Sequence, residues 1–287
     1  MKKILILLMA AILFMNPLRS FADMVEGDMI VTLGANLTDT QKNNLLAEMN
    51  APKDVHIVTV TNQEEHQYLG KYVANALIGT KAISSSAITI APKGSGITVK
   101  TNNITWVTNE MYINALITAG VKDANIYITS PVPVSGTAAL TGIIKAYEIS
   151  ADKTIPEAVK QAANQEMVET AKLGDSIGDK NAAALIAKVK EEIAKKKPQN
   201  DEELRQIIEQ AASDLNVKLT NDQMQSLMDL FNKLKNLNIN WNQVSDQINK
   251  AQDRISKFLQ SGEGQGFLDK IKNFFISLID WIKSIFA

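Results

Sequence analysis

Apolar positions along this chain follow two rhythms, and the change between them falls near residue 152. Before it, short β-branched runs alternate with stretches whose apolar residues recur every three or four positions. Met29 to Leu33 (MIVTL) predicts a strand ended by Gly34. Asp54 to Thr61 (DVHIVTVT) predicts a strand buried on both faces, because so continuous an apolar run leaves no face for solvent. Ala124 to Ser130 (ANIYITS) predicts another. Ala87–Ile90 and Ile97–Val99 flank Pro92-Lys93-Gly94-Ser95-Gly96, the pattern of a hairpin. Helices fall in between. Thr38 with Gln41, and Thr61 with Glu64, have the spacing of a capping box, in which cap and third residue satisfy each other's backbone N–H. Thr108 opens a further helix, and Ser135 begins one that runs to about Glu148. Strands alternating with helices predict a layered α/β sandwich of mostly parallel strands with one hairpin.

Beyond about Thr154 the period-two signal stops. Helical spacing predicts Pro156–Lys172, Asp179–Lys196, Asp201–Asp214, Asn221–Leu237, Trp241–Leu259 and Phe267–Phe286. Lys195-Lys196-Lys197 complements a helix C-terminus, and Pro198 ends it. Asn200 with Glu203, and Thr220 with Gln223, are cap-and-box pairs. The helix from Trp241 carries a seam of Trp241, Val244, Ile248, Ala251, Ile255 and Phe258, enough for bundle packing and marginal for a free coiled coil. The expected organisation is an α/β domain over residues 23–152 and an all-α helical domain over 153–287, ending in an amphipathic helix at 267–286.

In that last helix Phe267, Phe274, Phe275, Leu278, Trp281, Ile282 and Ile285 share one side, with charged and polar residues opposite. Each large apolar side chain left in water forfeits about 1.5–3 kcal/mol, so the stripe must be covered. Three covers are open: the chain's own helical bundle, a membrane surface, or an envelope protein. A bilayer span is disfavoured, since five charges interrupt the segment and a central charge costs about 2.5–3.5 kcal/mol.

Composition narrows the compartment. Met1-Lys2-Lys3 precedes an uncharged apolar run from Ile4 to Met15, and Ser20-Phe21-Ala22 places small residues at a cleavage site. Residues 1–22 therefore read as a secretory signal. Its loss leaves 27 basic against 31 acidic residues, and so mild acidity makes nucleic-acid binding a poor fit. The chain has no cysteine, so its stability must come from packing without disulfides, which suits an exported bacterial protein.

Candidate chemistry is sparse. Gly174-Asp175-Ser176-Ile177-Gly178 has the form G-x-S-x-G, but a nucleophile elbow follows a strand, and here a helical pattern precedes the serine. Both histidines, His56 and His66, lie upstream of it. His56, Glu64, Glu65 and His66 form the single His/carboxylate grouping, with no zinc spacing and with carboxylates that already suit a helix N-terminus. Catalytic residues, metal and cofactor are therefore assigned to none. The better local candidate is Ser135-Gly136-Thr137, which joins a strand's carboxyl end to a helix, the edge where open α/β sheets bind ligands. Hydroxyls and N–H groups there would suit an anion, with Glu64 and Glu65 as accompanying groups.

The runs TNQEEHQYLG (61–70), GITVKTNNITWVT (96–108) and NALITAGVKDANIYITSPVPVSGTAALTGIIKAYE (114–148) resemble an uncharacterised family of secreted proteins from Gram-positive bacteria. The resemblance implies an extracytoplasmic location and a domain of unknown function, and carries over no catalytic residue. The expectation is an exported, non-enzymatic cell-envelope protein that binds a membrane surface or an envelope partner. The alternatives are an envelope enzyme or small-ligand domain at the Ser135–Thr137 edge, and a structural oligomer built through the helices.

Overall fold

The computed structural model describes residues 25–260; the segment read as an export signal and the stripe from Phe267 to Ile285 lie outside the described residues. Five strands form one sheet: β1 (Met29–Gly34), β2 (His56–Val60), β3 (Ser85–Ile90), β4 (Ile97–Thr101) and β5 (Ala124–Thr129), in the order β2-β1-β3-β5-β4. β1 pairs with β2 in parallel, and β4 with β5 likewise. β3 is antiparallel to both of its neighbours, β1 and β5.

The sheet corrects three expectations. β2 is an edge strand with His56, Ile57 and Thr59 exposed, so the run at Asp54–Thr61 is not buried on both faces. The sheet is mixed rather than mostly parallel, with two pairings of each kind. The expected hairpin does not form either, because β5 lies between β3 and β4. The turn at Pro92–Gly96 does reverse the chain, with Gly94 and Gly96 at positive φ. Turn chemistry sets direction but not neighbour. β5 offers β3 a six-residue register, Ser85 opposite Thr129 through Ile90 opposite Ala124, while its other edge takes β4.

The helices are α1 (Asp39–Glu48), α2 (Asn62–Leu69), α3 (Asn75–Ile78), α4 (Asn109–Thr118), α5 (Ala139–Ser150), α6 (Glu157–Ile177), α7 (Asp179–Lys196), α8 (Asp201–Asp214), α9 (Asn221–Lys235) and α10 (Trp241–Gln260). Capping boxes close the starts of α1 at Thr38, α2 at Thr61 and α9 at Thr220. Ser135 does not begin a helix. α5 starts at Ala139 after an Ala138 cap without a side-chain bond, because Gly136 at φ +92° turns residues 135–137 out of helical conformation. α6 runs past its expected end at Lys172 to Ile177. It does so through Gly174, where a Cβ would crowd Asp179 at 2.5 Å, so only glycine lets α7 start so close.

Alternation along β1 shows how the sheet is covered. Ile30 faces a core shared with Ile88, Ile126 and Ile128 of the sheet, Met111 and Leu116 of α4, and Leu140 and Ile143 of α5. Val31 and Leu33 point the other way, against Leu45 of α1, Met49 and Ala87. The first core continues into α6 at Met167 and Ala171 and into α10 at Val244 and Ile248. A further cluster lies among α7, α8 and α9, built on Ile186, Val189, Leu204, Ile208 and Phe231. Among the described residues no helix is long and apolar enough to cross a membrane.

One polar knot lies where α4, α6 and α7 meet. The Lys190 ammonium donates to Glu166 Oε1 at 2.9 Å, Thr118 Oγ1 at 2.9 Å and the Asn114 carbonyl at 2.7 Å. Thr118 in turn donates to Glu166 Oε2. Both charged side chains are sealed from water. Burial pulls the Lys190 pKa down, against the pull of Glu166, which favours the charged form.

Candidate functional site

The sheet's carboxyl edge is where the candidate residues meet. β1, β2, β4 and β5 end there, and antiparallel β3 begins there. Between their ends opens a cavity of about 630 Å³, lined by Ser135, Gly136 and Thr137 after β5, Glu65 of α2, residues 78–81, 83 and 84 before β3, Thr105 and Trp106 after β4, and Asp175 of α6. That volume is in the range of small-molecule sites.

The loop after β5 is held from two sides. Val134 bridges Ile104 in parallel register, the Thr105 and Val107 amides donate to the Val134 and Ser135 carbonyls, and Val134 N–H donates to Asn103. Beneath it, the buried Tyr112 hydroxyl donates to the Gly136 carbonyl at 2.5 Å. Gly136 has no room for a side chain: a Cβ there would meet Ile104 and, at 2.6 Å, the Tyr112 hydroxyl. The glycine thus sets a firm cavity wall, and the Thr137 hydroxyl sits 3.4 Å from that of Ser135.

Glu65 lies opposite, only 2 % exposed. Its partner among the described residues is Asn62, whose Nδ2 donates at 2.9 Å and also reaches the Gly79 carbonyl. His66 Nε2–H donates to the same carbonyl at 3.0 Å. These bonds tie the first turn of α2 to the loop before β3. Burial pushes the Glu65 carboxyl up to about 7, opposed by Asn62 and His66 and helped by Glu64. Burial thus favours the neutral form of this carboxyl over the charged one.

Glu64 points elsewhere. It accepts from Thr61 as part of the capping box and from Lys145 Nζ at 2.6 Å, and lines a separate, smaller cavity. Burial raises its pKa, but Lys145 and Thr61 outweigh this and hold it below the ordinary value. The five sequence candidates therefore divide: Ser135, Gly136, Thr137 and Glu65 share the large cavity, and Glu64 does not. The charged and titratable groups on its lining are Glu65, Asp175 and Lys81.

Trp106, Asp175 and Lys81 are among the lining residues that carried no sequence assignment. Trp106 donates its indole N–H to Asp175 Oδ1 at 3.0 Å, linking the loop after β4 to the last turn of α6. Lys81 lies in the loop before β3. An aromatic residue in the loop after β4, ITWVT, was the signal available for Trp106; Asp175 had none, since its partner Trp106 lies far away in sequence. Ser176 is exposed on that same last turn, with helix before it and no strand, so the G-x-S-x-G string is a helix end. Among the described residues no three His, Asp or Glu side chains converge to hold a metal ion.

No solved structure matches the chain. The chain is similar along its whole length to the "Uncharacterized protein YpuA" of Bacillus subtilis (strain 168), with 58 % identity over 289 residues that cover all of both sequences. The family described as "Protein of unknown function (DUF1002)" matches residues 33–251, and the chain belongs to that family.

Proposed function

We propose that this is an exported binding protein for a neutral, hydroxyl-rich ligand of saccharide class, held in the cavity at the sheet's carboxyl edge. The observation that carries the reading is the lining itself. Hydroxyls of Thr80, Ser84, Thr105, Ser135 and Thr137 stand around an indole and two carboxyls. Such groups exchange hydrogen bonds with ligand hydroxyls, and an aromatic body covers the apolar face of a sugar ring. Glu65 adds a donor when protonated, and Asp175, oriented by Trp106, adds an acceptor. The location at the carboxyl ends of the strands supports the same reading. No nucleophile or metal is required, which favours binding over hydrolysis. Export rests on the N-terminal pattern of positive, apolar and small residues.

The test is a titration of the purified protein with N-acetylglucosamine oligomers, followed by calorimetry and by indole fluorescence. Saturable binding weakened about tenfold or more by Trp106→Ala and by Thr137→Val supports the site, each change removing one anchoring contact. Heat of binding that both variants leave unchanged, or no binding by any neutral glycan, ends the reading.

The apolar stripe of residues 267–286 supports a second contact, with the outer face of the cell membrane or with an envelope protein. Truncation after residue 266 should release the protein from the membrane fraction. Unchanged partitioning rejects the lipid version.

A further inference from the structure

The smaller cavity has its own chemistry. It lies between α2, α5 and α6, has a volume of about 180 Å³, and is lined by Glu64, Tyr68, Thr141, Ile144, Lys145, Glu148, Lys160 and Asn164. At about 30 Å³ per water molecule it has room for roughly six. Thr141 Oγ1 and Asn164 Oδ1 are buried on its lining with no hydrogen-bond partner among the described residues. Thr141 is 5 % exposed and Asn164 is fully buried. Leaving two such groups unmatched is costly, about 1–3 kcal/mol each, so something polar belongs against them.

The charged groups state what kind. Lys145 pairs with Glu64 at 2.6 Å, and Lys160 with Glu148 at 3.1 Å. Exposure grades from about a third at Lys145 and Glu64, through less than a fifth at Lys160 and Glu148, to none at Asn164. The first pair is the mouth, and Thr141 and Asn164 are the floor. Two cations and two anions balance on the lining itself, and Glu157 stands just beyond it, 3.8 Å from Lys160 and accepting from the Tyr68 hydroxyl, so a ligand suited to the site carries an ammonium as well as a carboxylate. The Asn164 oxygen can only accept, and so demands a donor at the floor. Ile144 gives the wall one apolar surface.

We infer that this cavity is a second binding site, for a small α-amino acid in zwitterionic form. Its ammonium group goes in first, donating to Asn164 Oδ1, Thr141 Oγ1 and the Glu148 carboxylate. Its carboxylate faces the mouth and meets the Lys145 ammonium. A short side chain lies against Ile144. The site is independent of the saccharide reading, since Glu64 and Glu65 face different cavities.

The experiment uses the full-length secreted protein and calorimetric titration with glycine, L-alanine and D-alanine. Propionate and ethylammonium, each carrying half of the zwitterion, are the controls. The expected result is saturable binding of at least one amino acid, at least about tenfold tighter than either half. Thr141→Val should weaken it about tenfold, Thr141→Ser should restore it, and Lys145→Met at the exposed mouth should weaken it without loss of folding. Thr137→Val in the large cavity should leave it unchanged, which separates this site from that one. No saturable heat with any of the three amino acids overturns the inference. So does a high-resolution structure grown with alanine in which ordered water alone satisfies Thr141 and Asn164.

Discussion

Two buried polar clusters on α6 lie within a single turn of each other, and they are built on opposite plans. At Glu166 every strong group is matched: Lys190 spends its three donors on Glu166, Thr118 and Asn114, and Glu166 takes Lys190 and Thr118. At Asn164, two residues earlier, a carboxamide oxygen and the Thr141 hydroxyl line the smaller cavity with no hydrogen-bond partner among the described residues. Glu65, across α2, resembles the second plan, with Asn62 as its hydrogen-bond partner and the larger cavity beside it. A saturated buried charge pair has no capacity left for anything else, so its role is to fix how the helices meet. An unsaturated one keeps capacity that only an incoming molecule can use. That difference separates scaffold from candidate site.

The matched cluster is most sensitive at Lys190. Lys190→Met leaves Glu166 buried without its cation and should lower stability by about 3–5 kcal/mol in urea denaturation. Replacing both Lys190 and Glu166 with Met should recover most of that loss, as expected when a sealed pair serves packing. If the single variant is as stable as the parent, the knot is not structural. Gly136→Ala ranks next. It forces a side chain into positive φ against Ile104 and Tyr112, and should cost about 1–3 kcal/mol, with loss of glycan binding at the same time. Stability unaffected by this change would show that the loop after β5 is not the firm wall described above.

Glu65 gives a pH signature. Its folded-state pKa is raised from the ordinary value to about 7, so the folded state holds the proton more tightly than the unfolded chain. The contribution of this group is then fully present below about pH 4.5 and is lost as pH rises to about 7, by at most about 1.4 kcal/mol per pH unit. Glu65→Gln should flatten that window in denaturation curves taken across it. A slope that survives the substitution assigns the effect to another group. The smallest effect belongs to the surface: Lys250→Ala, which removes the exposed pair with Asp246, should change the midpoint by no more than about 0.5 kcal/mol.

What was legible in the chain follows the reach of the forces involved. Thr38 with Gln41, Thr61 with Glu64 and Thr220 with Gln223 declared their helix starts because a capping box is written within four residues. β1, β2 and β5 declared themselves through β-branched runs. Neighbours in the sheet were not legible, since pairing of β3 with β5 joins residues about forty apart and no local pattern encodes it. The site was half legible. Ser135 to Thr137 stood out as a strand-to-helix loop, yet the separation of Glu64 from Glu65 depends on the rotation of α2 against α5. Asp175 depends on Gly174 letting α6 continue one turn further than its apolar stripe.

The placement of β5 between two strands that precede it has a consequence in time. A chain emerging from its N-terminus presents residues 85–101 complete, with their inner edges unmatched, until residue 129 has followed. β4 then has its strand partner in β5, and β3 gains its second neighbour. Completion of the sheet therefore waits for β5, and pairings so distant in sequence are the kind that slow folding. Fragments that stop short of residue 129 should therefore collect as aggregates instead of behaving as smaller folded units.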